Sequence, residues 1–176
     1  MAQKTEIWYV NLQIIRAKHG EIGLIQQLAH KIWWAHYPEI IGERQVEYML
    51  ERFYSFDALE KQMAEGQVFF FIKTEMMDSG FIAVTAMDKG KYFINKFYVD
   101  LDQHNKGVGT ATFSALLNEL SDVQEIQLQV NRMNYKPINF YLKLGFVIDR
   151  VADFDIGDGY FMNDFVMKWK SITNKG

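Results

Sequence analysis

KYFINKFYVDLDQHNKGVGTATFSALLNEL, residues 91–120, decides how this chain is organised. Its first ten residues are rich in aromatic and β-branched types and read as a strand. A glycine pair follows, and then FSALLNEL places apolar residues at helical spacing. The next apolar run, EIQLQVN at 125–131, is again strand-like, so the segment is a strand, a loop, a helix and a second strand. Such a unit is a crossover between parallel strands.

The flanks complete a mixed sheet. Upstream, QVFFFIKTE (67–75), GFIAVTAMD (80–88) and KYFINKFYVD are separated by the turn signals MDSG and DKGK, which predicts an antiparallel meander. LQIIRA (12–17) predicts a first strand and GEIGLIQQLAHKIWWAHY (20–37) a helix that Pro38 ends. ERQVEYMLERFYSFDALEKQMAEG (43–66) reads as one or two helices broken near Ser55 and Phe56, with Asp57 as N-cap and Gly66 as stop. Downstream, a helix starts near Asn134, and strands run around Phe146–Val151 and Tyr160–Trp169. The order βααβββαβαββ is that of an α/β (α+β) protein with a mainly antiparallel sheet of six to seven strands. With 176 residues, 49% of them hydrophobic, and no linker-like stretch or repeat, a single domain over 1–176 is expected.

Composition narrows the function classes. The formal net charge is −3 and the basic residues are scattered, so no nucleic-acid footprint appears. Cysteine is absent, which removes thiol catalysis and agrees with a reducing cytoplasm. The start, MAQKTEIWYVNLQIIRAK, has no signal-peptide core, and no run has membrane-spanning length. A cytoplasmic protein with no membrane partner is expected. No His, Asp or Glu set has metal-ligand spacing, so no catalytic metal is predicted.

The loop QHNKGVGTAT (103–112) lies at the carboxyl end of a sheet strand, where open α/β sheets bind ligands. Gly107 and Gly109 allow close backbone approach, and the amides of residues 105–110 open a helix whose dipole favours an anion. The loop is neither a Walker A motif nor a dinucleotide fingerprint: its lysine precedes the glycine, and Thr112 stands where a small residue is needed. By itself such a loop is more often a tight turn than a ligand site.

A second segment changes that balance. LQVNRMNYKPINFYLKLGFV, residues 128–147, carries Asn134, Pro137, Tyr141, Gly145 and Phe146 beside the first loop. Together HNKGVG (104–109) and NYKPINFYLKLGF (134–146) resemble the GNAT superfamily of acetyl-CoA-dependent N-acetyltransferases, with the patterns (Q/R)xxGx(G/A) and NxxAixFYxxxGF. The likeness runs from about residue 12 to 170, and more loosely, through YMLERFYSFDALEKQM and FDIGDGYFMNDFVMKW, to bacterial spermidine/spermine N-acetyltransferases.

The resemblance implies acetyl-CoA as cosubstrate and a primary amine as acceptor, a polyamine such as spermidine first. An aminoglycoside or peptide acetyltransferase, or a non-catalytic acyl-CoA sensor, is the alternative. It implies that the backbone of Phe97, Tyr98 and Val99 lies along the pantetheine arm in a splay between two strands, with an amide of Tyr98 or Val99 toward the thioester oxygen. It assigns the pyrophosphate to His104, Asn105, Lys106, Gly107, Val108, Gly109 and Thr110. Tyr141 matches the tyrosine that protonates the departing thiolate. Asn134 matches a cofactor contact and is equally a helix N-cap. For Gly145 a left-handed helix end is expected.

The chain departs from the pattern at three positions. His104 replaces Gln or Arg, and Pro137 replaces an alanine in the first turn of a helix, where a missing N–H costs little. Asn95 stands where many relatives carry a glutamate that deprotonates the amine, and asparagine accepts no proton. His36 and Glu39 are the substitute candidates for that proton and for the acceptor wall, alongside water. Glu43, Glu47 and Glu51 follow at helical spacing and either draw a polycation or form a solvated face. Partners are thus a small-molecule amine and, if the chain forms a homodimer, a second copy of itself.

Overall fold

In a computed structural model, residues 11–171, apart from 76 and 104–106, are described. The chain runs β1 (Leu12–Arg16), α1 (Ile22–His36), α2 (Pro38–Ile41), α3 (Glu43–Tyr54), α4 (Phe56–Ala64), β2 (Val68–Thr74), β3 (Met77–Asp88), β4 (Lys91–Val99), α5 (Val108–Glu119), β5 (Glu125–Asn131), α6 (Tyr135–Lys143), β6 (Val147–Gly157) and β7 (Tyr160–Lys170). Seven strands form one sheet in the order β1-β2-β3-β4-β5-β7-β6, with β4 and β5 the parallel pair and the other neighbours antiparallel. The mixed sheet and its crossover follow the predicted order.

Both faces of the sheet are covered, which is why β2 reads as the continuous apolar run VFFFI rather than an alternating one. Phe69 and Phe71 point into a core with Ile22, Ile25 and Ala29 of α1, Val46 and Leu50 of α3 and Leu59 of α4. Phe70 points the other way, into a core with Phe113 and Leu116 of α5 and Ile138 and Tyr141 of α6. Helices α1–α4 therefore take one face and α5 and α6 the other.

Three local expectations are corrected. The cap of α4 is Ser55, whose Oγ accepts from the Ala58 amide at 3.3 Å, while Asp57 lies inside the first turn, where its charge still favours the helix N-terminus. MDSG is not the turn: Met77–Gly80 already belongs to β3, and the chain reverses at Glu75, which has φ 47°. Gly80 is needed in the strand because a Cβ there would stand 2.1 Å from the Tyr98 carbonyl oxygen. Finally, β6 extends to Gly157, beyond the expected Val151; its exposed, partly charged residues hide it from a hydrophobic pattern. Gly145 has φ 93°, the left-handed helix end expected for it.

Candidate active site

The parallel ladder between β4 and β5 is short. Four residue pairs, Lys91–Ile94 with Glu125–Leu128, form it. Beyond them β4 stays on β3 as far as Val99, and β5 stays on β7 as far as Asn131. The strands diverge there, and a β-bulge between Ala83 and Val84 opposite Asn95 accentuates the bend. The Asn95 side chain is occupied locally, its Oδ1 accepting from Thr85 Oγ1 at 2.8 Å.

Backbone direction in the gap follows from alternation. The Asp100 amide donates to Ser79 on the β3 side, at 2.8 Å. Polar groups alternate along a strand, so the amide of Tyr98 also faces β3, and those of Phe97 and Val99 face the gap.

At the same end of the sheet, Gly107 is the left-handed N-cap of α5, with φ 76° and ψ 0°, and a Cβ there would meet nothing within 4 Å. The first intrahelical bond is Ala111 N–H to the Gly107 carbonyl, at 3.0 Å. The amides of Val108, Gly109 and Thr110 precede it and open toward the helix N-terminus. Val108 is buried as the anchor of the turn, and Thr110 is exposed. Gly109 has a packing reason as well, because a Cβ would come within 2.9 Å of the Phe140 ring. His104, Asn105 and Lys106 lie outside the described residues. A splayed strand pair beside an unencumbered left-handed glycine at a helix N-terminus fits a donor with an extended amide arm and a pyrophosphate.

A cavity of about 410 Å³ opens at the splay. It is walled by Trp33 and Tyr37 from α1 and its end, Met49, Phe53 and Tyr54 from α3, Asn95–Tyr98 from β4, Gln129–Asn131 from β5, Asn134, Pro137 and Tyr141 around α6, and Met162 and Asp164 from β7. Trp33 stacks on Tyr37 at 4.4 Å between ring centroids, and the Tyr54 hydroxyl donates to that of Tyr98 at 3.1 Å. The Trp33 indole N–H is buried beside the phenols of Tyr54 and Tyr98, and among the described residues it meets no acceptor at full hydrogen-bonding geometry.

Tyr141 is 8% exposed, between Phe97, Phe140 and Phe146. Burial raises its hydroxyl well above the ordinary tyrosine range, so it stays protonated at neutral pH. Asn134 is the N-cap of α6 by position, but its side chain does not cap the helix; it is buried, and its Oδ1 lies 3.1 Å from His36 Nε2. His36 thus stands behind Asn134, and Glu39 is exposed on α2, away from the cavity wall. Glu43, Glu47 and Glu51 lie on the exposed side of α3, opposite Val46 and Leu50.

Two wall residues carry no sequence motif. Lys96 is 8% exposed, its Nζ donating to Gln62 Oε1 and, at 3.0 Å, to Gln67 Oε1, above the rings of Tyr54 and Phe69. Burial brings its ammonium down to about 7. Asp164 is 6% exposed, and burial pushes its carboxyl up to about 6. A single carboxylate in NDF and a single lysine in INKF look like solvent-facing strand residues; only their contacts reveal them. Among the described residues, no group of His, Cys, Asp and Glu is arranged to hold a metal, and no helix is long and apolar enough to cross a membrane.

The acetyltransferase (GNAT) domain family matches residues 39–155, about two thirds of the chain. The chain belongs to this family. It is an N-acetyltransferase with acetyl-CoA as cosubstrate. Solved structures share the fold at low identity. The PaiA N-acetyltransferase from Thermoplasma acidophilum, in complex with coenzyme A, superposes with a TM-score of 0.73 at 20% identity, over 92% of this chain and 99% of that one. A GCN5-related N-acetyltransferase from Rhodopseudomonas palustris gives 0.73 at 16%, over 97% and 99%. A chimera of the spermidine N-acetyltransferase SpeG from Vibrio cholerae gives 0.68 at 16%, over 90% and 95%. No curated protein matches the chain in sequence.

Proposed function

We propose that this protein, acting as one domain in the cytoplasm, acetylates a primary amine of a small cationic molecule, spermidine or a related polyamine foremost. The observation that carries the reading is the cavity at the splay: aromatic rings from Trp33, Tyr37, Tyr54 and Tyr98 with one carboxylate, Asp164, in its wall. Ring faces and a carboxylate are the surfaces that take an alkylammonium. Lys96 would oppose a polycation if it were charged, and burial leaves it largely neutral above pH 7. The likeness to spermidine N-acetyltransferases adds support through fold alone.

In this reading acetyl-CoA supplies the activated acetyl group, lying in the gap along Phe97–Val99 with its pyrophosphate at Gly107–Thr110. A backbone amide of this stretch that faces the gap holds the thioester oxygen as charge grows on it. The acyl carbon gains a bond to the amine nitrogen as it loses sulfur, and the buried, protonated Tyr141 hydroxyl gives the thiolate its proton. Asn134 keeps the start of α6, and with it Tyr141, against His36. Transfer is direct in this reading: the chain has no cysteine, and its sequence offers no activated-serine arrangement, to carry an acetyl group.

The test is a panel of polyamines, aminoglycosides and peptide amines assayed for CoA release. Spermidine or a related polyamine should give the highest kcat/KM. Turnover confined to aminoglycosides or to peptide N-termini would assign the acceptor to another class, and binding of acetyl-CoA with no turnover of any amine would make the protein a sensor.

A further inference from the structure

An alkylammonium must lose a proton before it attacks, and the position usual for the base is filled by Asn95, which is bonded to Thr85. Asp164 offers the chemistry that Asn95 lacks. It sits mid-strand in β7, paired to Asn131 on one side and to Ala152 on the other, so its place in the cavity wall is fixed. Its neighbours in the wall include Tyr37, Asn134, Tyr141 and Met162. The Tyr37 hydroxyl lies near enough to feel Asp164, Tyr98 and Tyr141 together.

The carboxylate is buried, yet no hydrogen bond or ion pair holds it among the described residues. The charged groups facing it are Arg132, at the end of β5, and Asp153 on β6, and these two are bonded to each other. Burial outweighs Arg132 and sets the carboxyl near 6. A buried carboxylate without its own cation is costly. A cationic ligand would remove that cost.

We propose that Asp164 receives the acceptor's ammonium group and takes its first proton. The inference rests on an amine acceptor entering this cavity. The step balances: R–NH3+ and the carboxylate become R–NH2 and the carboxylic acid. The amine then forms its N–C bond as the C–S bond breaks. The second amine proton replaces the one Tyr141 gives to sulfur, and the acid returns its proton to water on product release. A carboxyl near 6 facing an ammonium near 10 is ionised when the ammonium is still charged, so at neutral pH the two meet as a pair.

The experiment compares wild type with Asp164→Asn and Asp164→Glu over pH 5–9.5, using spermidine and acetyl-CoA. In wild type, kcat/KM for spermidine should rise through a limb near pH 6 and then stay level to about pH 9, because enzyme and ammonium react as an oppositely charged pair. Asp164→Asn should cost roughly a hundredfold or more at pH 7 and replace the plateau with a rise of about tenfold per pH unit, since only free amine then reacts. Its acetyl-CoA affinity, read by calorimetry, should be unchanged, showing that the protein is folded. Asp164→Glu should keep the plateau and move the acid limb, which a merely structural residue would not do, and it carries the test if the Asn variant does not fold.

An Asn variant within threefold of wild type, with the same profile, overturns the assignment. A wild type inert toward spermidine overturns the polyamine reading instead, and the same variants on the amine returned by the panel then decide Asp164.

Discussion

Replacing Lys96 by Met should stabilise the protein, most strongly below neutral pH. Lys96 keeps a pKa of about 7 when folded against 10.5 for an ordinary lysine. Above pH 10.5 both folded and unfolded chains are neutral at this position, and burial of the amine carries no protonation cost. As pH falls below 10.5 the unfolded chain takes up a proton that the folded protein declines, so stability drops by about 1.4 kcal/mol per pH unit. The drop ends near pH 7, where the folded lysine also protonates. Integrated between those two limits, the loss is about 5 kcal/mol, present in full at pH 7 and below. The Gln62 and Gln67 carbonyls and the ring faces of Tyr54 and Phe69 act in the other direction by holding the charge, so this figure is a ceiling.

Methionine matches the lysine stem in volume and leaves two glutamine carbonyls without their donor, at a cost of about 1–3 kcal/mol each if they stay dry. Both glutamines line the cavity, and Gln62 is also held by donating to the Phe53 carbonyl at 2.9 Å. Urea titrations of both proteins at pH 6, 8 and 9.5 measure the outcome. Lys96→Met should gain about 2–3 kcal/mol at pH 6 relative to its difference from wild type at pH 9.5. A difference between the two proteins that is flat from pH 6 to 9.5 would refute the reasoning, because it would place Lys96 in the folded protein with an ordinary lysine pKa.

Tyr141→Phe should lower kcat by roughly 10²–10⁴ with acetyl-CoA affinity nearly intact, the range expected for loss of a general acid; mass spectrometry of wild type mixed with acetyl-CoA alone should show no acetyl adduct. Gly80→Ala should cost about 2–4 kcal/mol in a urea titration, since a Cβ 2.1 Å from the Tyr98 carbonyl oxygen forces β3 and β4 apart and the φ of 151° is strained for any other residue.

Strand and helix positions were largely legible because burial on both faces writes itself into runs such as VFFFI and into the spacing of Ile22, Ile25 and Ala29 on α1. Where chemistry and pattern part company the reading fails. Met77–Gly80 looks like a turn by residue type, yet it is a strand whose glycine makes room for a neighbouring carbonyl. Ser55 rather than Asp57 caps α4 because the cap is set by where the backbone enters the helix, ahead of the carboxylate. Within the site, Tyr141, Asn134 and the glycine loop announce themselves through their motif. Asp164 and Lys96 do not, since a lone charged residue in a strand is ordinarily at the surface. Their roles arise from burial among residues brought from β2, α1, α3, α4 and β5, distances along the chain that no local pattern encodes. Asn134 shows the reverse: its position at the helix start is visible, while its actual partner, His36, lies 98 residues away.

The short β4–β5 ladder has a mechanical consequence. Each half of the sheet, β1-β2-β3-β4 and β5-β7-β6, is a continuous antiparallel ladder, and four parallel pairs at one end join the two. Beyond that joint, among the described residues, no rung ties β4 to β5, so the spacing of the two halves at the mouth rests on side-chain packing rather than on a ladder. Helices α5 and α6 pack on the same face of the sheet, and the Phe140 ring of α6 lies where a Cβ on Gly109 of α5 would come within 2.9 Å of it. A side chain added at Gly109 would therefore press on packing that lies beside the places for donor and acceptor alike.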